Sequence, residues 1–139
     1  MSSRIYLDSS ALVKLAIAEL ESAALARYLA SVAEAATSTV AGIEVVRVVA
    51  AIDPSADARS RAKDVVDRCF EIDLSNDVKR LAALVQPPSL KSLDAIHLAS
   101  AFSVRDALDA FVTYDRRLGQ AARAAGLRVV APGQPAAGT

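Results

Sequence analysis

Ile5-Tyr6-Leu7 is a three-residue apolar run that stops on a carboxylate, Asp8, and a helical pattern, Ala11-Leu12-Val13-Lys14-Leu15, opens almost at once. A short buried strand that hands directly to a helix is the building step of a parallel sheet, because parallel neighbours need a crossover between them. Ser9 or Ser10 is the expected N-cap of that helix. Asp8 then stands at the carboxyl end of its strand, where open α/β sheets place their ligands. Asp is also a favoured capping residue, so this stretch by itself leaves a structural and a functional reading open.

The rest of the chain keeps the alternation. Leu20, Ala23, Ala24, Leu25, Tyr28, Leu29 and Val32 recur at helical spacing within 19–33. Ala36-Thr37-Ser38-Thr39 suits a turn or a brief strand, with Thr39 placed to cap a helix over 40–52. Asp53-Pro54-Ser55 breaks the chain, and 55–69 returns as a helix whose mixed charges predict a solvated face. Phe70 to Leu74 alternates as a strand does. Ser75-Asn76-Asp77 starts a helix that ends by Pro87-Pro88, and Leu93, Ile96, Leu98, Ala101 and Phe102 predict another, buried one. Ala110 to Asp115 repeats the opening pattern of an apolar strand ending on Asp. A helix over 116–125 follows, stopped by Gly126, and Leu127 to Val130 reads as a last strand. The expected class is α/β: a three-layer α/β/α sandwich around a central, mostly parallel sheet. One domain over 1–131 accounts for it, with a loose tail over 132–139 that holds Pro132, Gly133, Pro135 and Gly138.

Charge excludes one class of function: 16 basic and 16 acidic residues balance, so no basic field marks a passive nucleic-acid binder. An enzyme that meets phosphates through metal ions is not excluded. Cys69, the only cysteine, rules out an internal disulfide and a cysteine zinc site, and reads as a small buried hydrophobe. No secretory or membrane-spanning run is visible, which points to a soluble, cytoplasmic protein. The apolar share, 53%, is high enough that a protein partner or a dimer face is expected to cover part of it.

Three further carboxylates bear on Asp8. Glu44 sits among Ile43, Val45, Val46, Val48 and Val49, on a helix that looks buried nearly throughout. A buried carboxylate needs a partner, and Arg47, three residues on, is the local candidate. Asp94 lies in the first turn of its helix, where the backbone dipole favours a negative charge. His97, one turn later, is placed to bond Asp94 or a ligand, but a lone His on an apolar helix reads first as a satisfied core residue. Asp115 ends its strand as Asp8 does. In a parallel sheet the carboxyl ends share one edge, so Asp8 and Asp115 lie there, and Glu44 and Asp94 stand near helix starts that open on it. Four such groups repel one another without a cation, and an all-oxygen cluster suits Mg²⁺ or Mn²⁺. Such a site can activate water for displacement at phosphorus.

The same residues carry a family resemblance. Leu7-Asp8-Ser9-Ser10-Ala11-Leu12-Val13-Lys14, Glu44 in its apolar helix, Leu93-Asp94-Ala95-Ile96-His97-Leu98-Ala99 and Val112-Thr113-Tyr114-Asp115 resemble the motifs of PIN-domain ribonucleases, and among these the VapC toxins of toxin–antitoxin pairs. The likeness runs from Ile5 to about Val130, in the family's order. It implies a PIN-like fold and a Mg²⁺- or Mn²⁺-dependent endoribonuclease acting on RNA. It also implies restraint by a VapB-like antitoxin and a homodimer. Residue by residue, it implies that Asp8, Glu44, Asp94 and Asp115 are the catalytic, metal-holding acids. Ser10 and Thr113 match supporting hydroxyl positions. A further acid that some relatives carry after Asp115 is replaced by Arg116 and Arg117, which puts a second metal in question. Lys14, Arg47, Arg116 and Arg117 are the nearby basic residues available to RNA or the antitoxin.

Two rivals stay in view. A receiver-type phosphoacceptor domain shares the length and the alternation, but the opening strand lacks an adjacent acidic pair. A catalytically silent PIN-fold module that only docks a regulator is the other.

Overall fold

β1 (Arg4–Leu7) is apolar at Ile5, Tyr6 and Leu7 because helices cover both of its faces. The computed structural model describes residues 3–135. β1 is the centre of a five-stranded sheet with β2 (Glu34–Ser38), β3 (Phe70–Ile72), β4 (Ala110–Val112) and β5 (Val129–Val130). The strand order is β3-β2-β1-β4-β5 and every pairing is parallel, for example Ile5 with Ala35 on one side and Ala110 on the other. A receiver domain orders its strands 2-1-3-4-5, so this topology removes that rival.

The helices are α1 (Ser9–Ala16), α2 (Ser22–Leu29), α3 (Ala41–Ile52), α4 (Ala56–Asp67), α5 (Asn76–Leu84), α6 (Ser92–Ser103) and α7 (Arg116–Ala124). Side-chain alternation along β1 divides the core in two. Ile5 and Leu7 pack with Leu12, Leu25, Val45, Val49 and Val66 of the first four helices. Tyr6 points the other way, into Phe111, Leu98 and Leu118 under α6 and α7. The expected three layers are therefore present, and together they position the ends of β1 and β4.

Local details depart from expectation where long-range contacts overrode local signals. Thr39 does not cap α3; its hydroxyl bonds the Ile72 carbonyl of the neighbouring strand, and Val40 precedes the helix without a side-chain cap. Ser55 and Ser75 do cap α4 and α5, each accepting a backbone N–H three residues on. Nor is α3 buried all round: Ile43, Val48 and Ile52 are 68%, 44% and 54% exposed. Cys69 is half-buried, and burial, followed by the charge of Glu71, pushes its thiol up to about 11, which keeps it protonated and inert.

The segment after β5 packs on α2. The Tyr114 hydroxyl donates to the Pro132 carbonyl (2.7 Å), and the chain turns at Gly133, whose φ is +91°. The remainder of the expected tail, Ala136 to Thr139, lies outside the described residues. A Cβ on Gly133 would meet the Ala24 Cβ at 2.9 Å in a backbone region L-residues avoid. Gly133→Ala is therefore expected to cost about 1–2 kcal/mol locally and to lift the turn. Faster amide exchange at Gln134, whose N–H bonds Ala131, would show it; unchanged exchange would mean that the turn tolerates the strain.

Candidate active site at the ends of β1 and β4

From β1 the sheet grows outward through β2 on one side and through β4 on the other, so the crevice between the carboxyl ends of β1 and β4 is where this topology opens. Asp8 and Asp115 flank that crevice.

Asp8, not Ser9 or Ser10, caps α1. Its Oδ1 accepts the Ala11 N–H (3.0 Å) and the Ser10 hydroxyl (2.7 Å), while Oδ2 accepts the Thr113 hydroxyl (2.5 Å). The structural and functional readings of this residue are thus not exclusive. The carboxyl is 2% exposed, and burial raises its pKa although the bonds from Thr113, Ser10 and Ala11 pull the other way. Thr113 and Ser10 each do a second thing. The Thr113 oxygen accepts the Asp115 N–H (3.0 Å), and the Ser10 oxygen accepts the Tyr114 N–H (2.9 Å). Two hydroxyls therefore stitch the segment after β1 to the segment after β4.

Asp115 caps α7 through the Leu118 N–H (3.0 Å) and is exposed. Asp94, in the first turn of α6, is half-buried. Its carboxyl is raised by burial first, then by the charges of Asp115, Asp8 and Glu44, which outweigh the one favourable influence, His97. Among the described residues no hydrogen bond to the Asp94 carboxylate offsets these influences.

Glu44 does not pair with Arg47, which is exposed on α3. Both of its hydrogen bonds fall on Oε1, from His97 Nε2 (2.7 Å) and from the Ser9 hydroxyl (2.5 Å). Burial would raise this carboxyl, but the His97 and Ser9 bonds outweigh it and hold the pKa below the usual range. The physical reason for the change of partner is burial. An exposed i,i+3 pair is worth only ~0.2–0.5 kcal/mol, so it cannot compete with donors inside the fold. His97 is 1% exposed and fully engaged, as a core histidine should be, but its partners are Glu44, Tyr6 and Ser9 rather than Asp94. Sequence reasoning missed Tyr6 and Ser9 here, since the first comes from the central strand and the second from another helix, α1.

Of the basic candidates, Arg116 and Arg117 are exposed beside Asp115. Lys14 is engaged elsewhere: its ammonium lies 2.8 Å from Glu21 and 3.4 Å from Glu19, over the Tyr114 ring.

Among the described residues no three His, Cys, Asp or Glu side chains form a ready-made metal cage. The donors nonetheless fit a hard cation. They are all oxygen, Asp94 is crowded by three like charges, and a carboxylate keeps lone pairs beyond those Asp8 commits.

The PIN domain family model matches residues 5–124, a span that includes all four acids. This chain belongs to the PIN-domain family. Its relatives include Ribonuclease VapC47 of Mycobacterium tuberculosis (strain CDC 1551 / Oshkosh), 41% identical over 133 residues, covering 93% of this chain and 97% of the relative. Ribonuclease VapC35 of strain ATCC 25618 / H37Rv is 42% identical over 134 residues, 94% of this chain and 98% of its own. The PIN domain described here is thus of the VapC type. Among solved structures, Mycobacterium tuberculosis VapC20, a toxin that cleaves the sarcin–ricin loop, superposes with a TM-score of 0.72 at 18% identity, over 92% of this chain and 99% of that one. VapBC2 of Rickettsia felis, solved on a DNA fragment from its promoter, gives 0.68 at 15% identity, over 92% and 98%. At these identities the structures establish a shared fold. No helix among the described residues is long and apolar enough to cross a membrane.

Proposed function

We propose that this PIN domain is a metal-dependent endoribonuclease, the toxin of a type II toxin–antitoxin pair, which hydrolyses RNA phosphodiester bonds in the cytoplasm. The observation that carries the reading is the crowding of Asp94 by Asp115, Asp8 and Glu44 at the crevice where the sheet opens. Asp8, Asp94 and Asp115 would hold Mg²⁺ or Mn²⁺, with Glu44 acting through water. When bound, the ion supplies an activated water and offsets charge developing on the phosphodiester.

The chain's own residues do the positioning. Asp8 is held by three donors and cannot swing away. Thr113 ties the Asp115 backbone to Asp8, so the two acids keep a common frame. Arg116 and Arg117 stand in solvent beside Asp115, where phosphates of a bound strand can meet them. Lys14 and Arg47 are weaker candidates, the first because Glu19 and Glu21 already neutralise it. The VapC relatives support a VapB-like antitoxin as partner. Exposed apolar side chains such as Val48 and Ile52, one turn apart on α3, support a homodimer or antitoxin contact.

Mapping RNA ends after expression without antitoxin tests the reading. The parent is expected to leave ends at fixed sites, and Asp94→Asn to reduce them by about a hundredfold or more, the scale of losing one preorganised charge-stabilising group. The same ends from both chains would take Asp94 out of the catalytic site, and no ends beyond those of cells lacking the chain would favour a silent module that only docks a regulator.

A further inference from the structure

The Glu44 carboxylate receives His97 from the opposite helical layer, and His97 in turn receives Tyr6 from the central strand. The geometry fixes which nitrogen carries the proton. A carboxylate only accepts, so Nε2, 2.7 Å from Glu44 Oε1, must present N–H to it. In a neutral ring Nδ1 is then the acceptor, and it faces the Tyr6 hydroxyl at 2.7 Å. A bare Nδ1 leaves the Tyr6 hydroxyl to donate to it. Tyr6 is completely buried and stacked on Phe111 with ring centroids 5.2 Å apart, which fixes where its hydroxyl points. The Ser9 hydroxyl donates to the same Glu44 oxygen and lies 2.8 Å from His97 Nε2, where its own oxygen is a second acceptor for the Nε2–H. Both bonds to Glu44 fall on Oε1, and Oε2 has no such partner among the described residues.

We propose that Tyr6 and His97 are positioning residues for the acidic site: Tyr6 locks His97 in the Nε2–H tautomer, and His97 pins Glu44 by Oε1 so that Oε2 is left to the site. This rests on the reading of Glu44 as a member of that site. The lock also joins the two helical layers across the end of the sheet, since Glu44 is on α3 and His97 on α6. A side chain that orients a ligand carboxylate in this way commonly changes metal affinity by about 10–100-fold when removed.

The chain has one histidine, so its ring is the only imidazole in a nitrogen-15 spectrum. In mildly alkaline, metal-free buffer the parent is expected to show Nε2 protonated and Nδ1 bare, and Tyr6→Phe to move both signals toward a mixture of tautomers. The opposite tautomer in the parent, a doubly protonated ring, or unchanged signals in Tyr6→Phe would overturn the lock. Calorimetry with Mn²⁺ alone gives the second readout. His97→Ala is expected to bind about tenfold or more weakly, and His97→Gln, whose amide restores a donor near Nε2, to regain most of that loss. Should His97→Ala not fold, Tyr6→Phe takes its place, and parent-like affinity in Tyr6→Phe would overturn the positioning role. A parent that binds no Mn²⁺ overturns the acidic-site reading and the positioning role together, while the spectrum still decides the lock.

Discussion

Asp8→Ala is expected to lower the stability of the metal-free chain by about 2–4 kcal/mol, while Asp94→Asn leaves it unchanged or raises it. The two acids sit in one crevice but in opposite circumstances. Removing the Asp8 side chain, itself only 2% exposed, takes away the cap of α1 and strips the Ser10 and Thr113 hydroxyls of their acceptor. Asp94 caps no helix, and burial and the like charges of Asp115, Asp8 and Glu44 outweigh the one favourable influence on it, His97. The pH dependence follows from the direction of that shift. The folded-state pKa lies above the usual 3.8, so above it the folded chain bears the full charge penalty. As pH falls through it, the folded carboxyl takes up a proton before the unfolded one does, and the parent gains on Asp94→Asn. Below the usual carboxylate range both states are protonated and the gap closes. Urea titrations in chelator at several pH values measure all of this. An Asp94→Asn chain clearly less stable than the parent would make Asp94 a structural residue.

The second large effect comes from metal. Binding to the folded state alone stabilises it, by about 2.7 kcal/mol at a hundred times the dissociation constant. Millimolar Mg²⁺ or Mn²⁺ is therefore expected to raise the melting midpoint of the parent by several degrees. Asp94→Asn should lose most of that rise, because relief of its charge penalty is the reason for the rise. The two variants also separate cause from consequence. Asp94→Asn folds well and ignores metal, whereas Asp8→Ala is weak with metal or without it. A parent midpoint indifferent to both ions would remove the metal from the site.

Sequence carried the elements further than it carried their partners. Ile5-Tyr6-Leu7-Asp8 and its echo at Ala110 to Asp115 are read correctly as strands of one parallel sheet, since apolar runs and adjacent helix signals are local. Their adjacency is not local: nothing in the residues says that the order is β3-β2-β1-β4-β5 and not another winding. Burial misled on α3, because Ile43 and Ile52 have the apolar character of core residues yet face outward. The partner of Glu44 shows the same limit from the polar side. Arg47 is the answer a helix surface suggests, and His97, 53 positions away, is the answer the packed layers impose. Tyr6 was legible as a buried strand residue, but its hydroxyl has meaning only once α6 lies over the sheet. The four acids stood out in the sequence by type and by their place at element ends. The hydrogen bonds that hold them did not.

The bond from Thr113 to Asp8 spans 105 residues, and it sets an order of events during synthesis. Asp8 is made before Thr113, and its acceptor atoms wait for that hydroxyl until the intervening chain has been added. The same is true of the neighbouring bond from the Tyr114 backbone to Ser10. A nascent or prematurely ended chain therefore carries the first acid without the frame that steadies it. Domains fold as units when their distant parts can meet, so the crevice cannot close before both β1 and β4 have been made.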